Sequence, residues 1–154
     1  MYGCRADYLE TESTNCGDNI TYLLDLLRDS FIDCKSMLMI QDASMQRCMD
    51  AVLRKFRPDL KIINYAAYTA HVLCVNGELI HEKEIHGMWK MDHYVNLLMG
   101  EIPRLMDDEN GYGLNGIHYI AHVDILNEVK LAFDELKSVY GYETREANPL
   151  YASK

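Results

Sequence analysis

Between Tyr68 and Ile85 the chain reads YTAHVLCV, then Asn76-Gly77, then ELIHEKEI. Two runs rich in β-branched and apolar residues flank the Asn-Gly pair. A two-residue type I′ turn needs φ > 0 at both central positions, and Asn and Gly tolerate it. This turn sets a register. With Asn76 and Gly77 as the loop, Val75 faces Glu78, Leu73 faces Ile80, His71 faces Glu82 and Thr69 faces Glu84. The other face sets Cys74, Val72, Ala70 and Tyr68 against Leu79, His81, Lys83 and Ile85, in that order. It is the more apolar of the two and the one expected to pack on a core.

Helical spacing surrounds this hairpin. Ile20, Leu23, Leu24, Leu27 and Phe31 share one face of a helix over roughly 19–34, with Asp18 or Asn19 as its cap. Ser36 to Ile40 fits either the tail of that helix or a short buried strand. Met45, Cys48, Met49, Val52, Leu53 and Phe56 predict a second helix, capped by Asp42 or Ser44 and stopped by Pro58. Leu60 to Tyr65 predicts a strand leading into the hairpin, giving a sheet of at least three strands. Met88, Met91, Leu98 and Met99 mark a third helix that Gly100 and Pro103 should break near Glu101. Ile117 to Val123 alternates as a strand, and Asp124 caps a last helix that Gly141 stops.

Asp107 to Gly116 (DDENGYGLNG) reads as a connecting loop with room to move. Its acids do not make a calcium loop. A sixth-position glycine at 111 or 113 leaves apolar or aromatic residues where oxygen ligands belong, and no Glu stands at the twelfth. Residues 1–17 read as an irregular arm and 142–154 as an irregular tail. No repeat or linker divides the chain, so residues 1–154 are expected to form a single α+β domain. It would have about four helices packed on a small, mainly antiparallel sheet built around the 68–85 β-hairpin.

A formal net charge of −9 argues against direct nucleic-acid binding, which needs clustered Lys and Arg to neutralise phosphates. It suits a basic protein partner instead. No apolar run approaches the ~18–20 residues of a membrane span. The first twenty residues carry four acids and no apolar stretch, so neither membrane nor signal peptide is expected, and the chain reads as cytoplasmic. Five cysteines without Cys-x-x-Cys read as reduced thiols, three of them on apolar faces. Cys4 and Cys16, in the polar arm, would pair only in an oxidising compartment.

Two constellations bear on function. Asp25, Asp29 and Asp33 recur at helical spacing, and with Glu78 on the hairpin they form the expected interaction surface; a solvated acidic face is the plainer account. Across the hairpin, His71 lies opposite Glu82 with Glu84 one diagonal away. A carboxylate beside an imidazole favours its charged form and fixes its tautomer, as a general base requires. His118 and His122 would share a metal ion only if 117–123 were helical or a neighbouring strand completed the site, because on a strand they stand ~13 Å apart. Trp89 and His93 at i and i+4 would add an aromatic wall near His86. Nucleophile elbows, phosphate loops and dinucleotide fingerprints are absent, and no cofactor is specified. The sequence therefore points to a non-enzymatic inhibitor or adaptor of a basic partner. Its rival is a small metal-dependent or acid–base enzyme using His71, Glu82 and Glu84.

Overall fold

The computed structural model describes residues 3–140. Asn15 opens the first helix: its side chain accepts the Asp18 backbone N–H at 3.0 Å, satisfying a donor that has no partner within the helix. Helix α1 therefore runs Cys16–Asp29, and Cys16-Gly17 is its first turn rather than the break expected there. At the other end Ile32 N–H donates to the Leu27 carbonyl at 2.9 Å and Phe31 N–H to Arg28 at 3.0 Å. That is a Schellman close, with Phe31 in the left-handed position at φ 57° where glycine is usual. Phe31 is 96% exposed, so it leaves the apolar face that the spacing assigned to it.

Strand β1 spans Ser36–Gln41, helix α2 Gln46–Phe56 and strand β2 Lys61–Ala66. β1 and β2 pair in parallel, from Ser36↔Lys61 to Gln41↔Ala66. A parallel pair needs a crossover connection, and α2 supplies it. Cys48, Met49, Ala51, Val52 and Leu53 of α2 are buried with Met39 of β1, Leu60 and Ile20 of α1 in the main core. Complete burial of one such aliphatic side chain stabilises by about 1.5–3 kcal/mol. Asp50 of α2 accepts from Asn64 of β2 at 2.8 Å and pairs with Arg54 at 2.7 Å, so its buried carboxylate is matched.

Strands β3 (Val72–Val75) and β4 (Glu78–His81) form a second, separate sheet. They pair antiparallel from Val75↔Glu78 to Val72↔His81, with Asn76 and Gly77 between them at φ 53° and 85°. One further bond joins Glu82 N–H to the His71 carbonyl at 2.8 Å, and there the ladder stops. Two expectations are corrected here. The pairing does not extend over 68–85, because beyond His81 the chain meets Glu82, Lys83 and Glu84, bends, and has no apolar side to bury. Nor does β2 join these strands: the fold is α+β with two two-stranded sheets, one of them parallel, in place of one mainly antiparallel sheet.

Helix α3 runs Met91–Leu105 without the expected break near Glu101. Pro103 lies so late that only last-turn bonding is affected, and the Met106 N–H closes onto the Pro103 carbonyl at 3.2 Å. Helix α4 spans Asn127–Tyr140 and packs Phe133 against Val95 and Met99 of α3, with Leu79 of β4 beside them. Residues 117–123 are irregular, not a strand. They bury Ile120 and Val123 at 1% and 6% exposure, an odd spacing that no strand alternation gives. Asp124 turns back to His122 and does not cap α4. The expected stop at Gly141 and the tail lie outside the described residues. No helix among those residues is long and apolar enough to cross a membrane.

Candidate functional site

Strand alternation turns Met37, Met39, Ile62 and Asn64 toward the core and α2, and leaves Leu38, Ile40, Ile63 and Tyr65 on the outer face. These four are 57%, 62%, 48% and 60% exposed. Parallel sheets normally carry helices on both faces, because each face of such a strand is apolar. Here one face has α2 and the other has no cover among the described residues. Four large apolar groups side by side make a patch in the range of about 300–600 Å² that marks the largest, often functional, patch on a monomer. Tyr65 adds a phenol that can reach a partner's polar group while its ring stays buried.

At the carboxyl ends of β1 and β2 a polar cluster forms around Asp42. Its carboxylate accepts from Ser44 N–H at 2.9 Å, Ser44 Oγ at 2.7 Å and Tyr68 Oη at 2.5 Å, with the Trp89 side chain as a further donor. Burial alone would raise this carboxyl, but those donors outweigh it and hold it below the ordinary carboxylate range. Burial and the bond to Asp42 push the Tyr68 phenol well above its usual value. An ionised carboxylate and a protonated phenol have no proton to exchange near neutral pH. The cluster is a latch, tying the chain after β2 and the approach to α3 onto the end of β1.

His81 stands nearby. Its Nε2 lies 3.3 Å from the Trp89 carbonyl, and since a carbonyl only accepts, Nε2 carries the proton. Nδ1 is buried without a partner, and the His81 ring lies 5.4 Å from the Tyr94 ring between centroids. Trp89 and His93 do come together, at 4.6 Å between ring centroids, on the approach to α3 and its first turn. Sequence reading placed His81 on the packed face of the hairpin but gave it no role. Asp42 and Tyr68, distant in sequence, carried no signal of their pairing.

The expected site residues are dispersed. His71 and Glu82 are adjacent through the backbone bond, yet both are exposed and no ion pair or hydrogen bond joins their side chains; Glu84 lies past the bend. Asp25 and Asp29 both contact Arg28, at 2.8 and 3.3 Å, and Asp33 contacts Lys35 at 2.8 Å. The acidic stripe is thus partly answered by its own chain, though such exposed pairs contribute little. Glu78 is exposed at the start of β4. His118 and His122 meet neither condition for sharing a metal, since 117–123 is neither helical nor strand-paired. Among the described residues no three His, Cys, Asp or Glu side chains are placed to hold an ion.

His122 instead bridges two carboxylates: Nδ1 to Asp107 Oδ2 at 2.8 Å and Nε2 to Asp124 Oδ1 at 3.1 Å. Only the imidazolium can donate to both. Asp107, held low chiefly by the Asn115 N–H and then by His122, stays ionised; its bond, and then that to Asp124, lift His122 above its ordinary 6.5. Stability from this clamp should be fully present below pH 6.5 and fade as pH rises through the folded value. An NMR titration of the His122 ring should find its midpoint above 6.5, and His122→Asn should remove that step from the pH–stability curve. A midpoint at or below 6.5 would show the clamp open in solution. No protein-family model matches the chain.

Proposed function

We propose that this protein acts by protein–protein contact, as an inhibitor or adaptor, through the outer face of the β1–β2 pair. The supporting observation is the half-exposed quartet Leu38, Ile40, Ile63 and Tyr65 on a sheet type whose faces are ordinarily both covered. The occupant we assign is a basic protein that lays an apolar strip over this quartet. Net charge −9 draws such a partner in by its long-range field, raising the rate of encounter more than the final affinity. Asp25, Asp29, Asp33 and Glu78 contribute to that field. A basic nucleic-acid-binding protein is the partner class this charge suits.

Ile40→Glu with Ile63→Glu should leave the fold within about 0.5 kcal/mol of wild type, because both side chains already face solvent. The same pair should abolish capture of a basic protein that the wild-type chain retains. Reversing Asp25, Asp29 and Asp33 to Lys should slow that association and remove its salt dependence. The reading fails if the face variant retains the same partner with unchanged affinity. It also fails in its choice of partner if sedimentation shows the wild type as a dimer and the face variant as a monomer, since the occupant is then a second copy. The rival enzymatic reading on His71, Glu82 and Glu84 draws less support, because their side chains make no contact with one another.

A further inference from the structure

Two cysteines far apart in sequence meet where α1 packs on α2. Cys16 occupies the first turn of α1 and is partly buried against the main core; Cys48 is in that core at 4% exposure. Both are free thiols, and their side chains are hydrogen-bonded to each other. Glu101 of α3 reaches the same place at 4% exposure. Its Oε1 meets Arg104 Nη1 at 2.7 Å, its Oε2 is buried with no nitrogen or oxygen donor, and the Cys48 thiol is a further neighbour of the carboxyl. A buried carboxylate with one oxygen short of any nitrogen or oxygen donor, next to a thiol pair, is costly for stability alone. It is what proton transfer from a buried thiol needs.

We propose that Cys16, Cys48 and Glu101 form a thiol–disulfide exchange site whose substrate is a small disulfide. Cys16 is the nucleophile. It is the more accessible of the two, it sits at a helix N-terminus, and the Cys48 bond to its sulfur holds it below the usual thiol range. Its thiolate attacks one sulfur of R–S–S–R, forming a Cys16–S–S–R mixed disulfide and releasing one RS⁻. Cys48, held well above the usual range by its bond to Cys16 and by burial, is the resolving thiol. Its proton passes to Glu101, its sulfur attacks Cys16 Sγ, the mixed S–S bond breaks and the second RS⁻ leaves. The protein dithiol is oxidised by two electrons and the small disulfide is reduced to two thiols. The protons lost from the cysteines, one of them by way of Glu101, end on the released thiolates.

Oxidised glutathione is the probe, applied to the full chain and to a variant with Cys4, Cys34 and Cys74 all changed to Ser. Peptide mapping without reductant should find one Cys16–Cys48 disulfide in both proteins and no lasting glutathione adduct. Cys48→Ser should accumulate the adduct on Cys16, and Cys16→Ser should react at position 48 at least tenfold more slowly. Glu101→Gln should leave the first step unchanged, slow ring closure about tenfold at neutral pH and flatten its pH profile. The triple variant spares Cys16, Cys48 and Glu101 and touches the main core only at its partly buried margin, through Cys34, so it decides the matter even if a core substitution fails to fold. Absence of the 16–48 bridge in that variant, or closure at the wild-type rate in Glu101→Gln at every pH, would overturn the proposal.

Discussion

Gly111→Ala should destabilise the fold by about 3 kcal/mol or more, at the upper end of what overpacking costs. A Cβ at this position would stand 1.9 Å from the Met106 carbonyl oxygen and 2.7 Å from its carbon. Both are backbone atoms, so no rotamer change relieves the clash. The neighbourhood is also densely bonded. Gly111 N–H meets Asp108 Oδ1 at 2.9 Å, Tyr112 N–H meets Arg104 O at 2.8 Å and Ile117 N–H meets Gly111 O at 2.9 Å. Any shift at 111 must therefore break several bonds and lift Ile120 from the core. Gly100→Ala is the matched contrast: nothing lies within 4 Å of its Cβ, so the substitution should stabilise α3 by about 0.5–1 kcal/mol. Urea unfolding of both variants checks the opposite signs through the midpoint, with slope unchanged. If Gly111→Ala unfolds within 0.5 kcal/mol of wild type, the loop is looser in solution than its bonding implies.

That loop shows where the sequence was opaque. DDENGYGLNG has the composition of a mobile connection, and composition does not reveal that Gly111, Gly113 and Gly116 lie against backbone from residues 106–111. Helices were more legible, because the spacing of Leu23, Leu24 and Leu27, or of Cys48, Val52 and Leu53, fixes a buried face without reference to anything distant. Asn76-Gly77 was legible for the same reason: a tight turn is a local event. Strand partnership is not local. Lys61–Ala66 was expected to join the hairpin that follows it, yet its partner is Ser36–Gln41 across α2. Strand–helix–strand order is the usual sign of a parallel pair, but the run Met37–Ile40 was too short to separate strand from helix. An exposed outer face follows only from a strand at that position, so it has no signal of its own in the sequence. The thiol pair was hidden more deeply, because Cys16 fell in what read as an irregular arm and Cys48 on a helix face. Only the packing of α1 on α2 brings them together.

Arg104→Ala should cost about 3–5 kcal/mol at pH 7, the range for removing one partner of a buried ion pair. The Arg104 side chain is 20% exposed and that of Glu101 5%, so the charge left behind is the buried one. Burial already raises the Glu101 carboxyl, and Arg104 is the main force opposing it. A carboxyl raised on folding holds its proton to higher pH in the native than in the unfolded chain. Its contribution is therefore most favourable below 4.5 and declines as pH rises through the folded value. Without Arg104 that folded value moves further up, so the deficit of the variant should shrink steadily between pH 7 and pH 5 as Glu101 takes up a proton. Glu101→Leu combined with Arg104→Met should recover most of the loss, since apolar groups of similar volume leave nothing unpaired. Urea unfolding at both pH values measures all three proteins. Equal deficits at pH 7 and pH 5, or a double variant as unstable as Arg104→Ala, would mean that Glu101 reaches water through an opening the fold does not display.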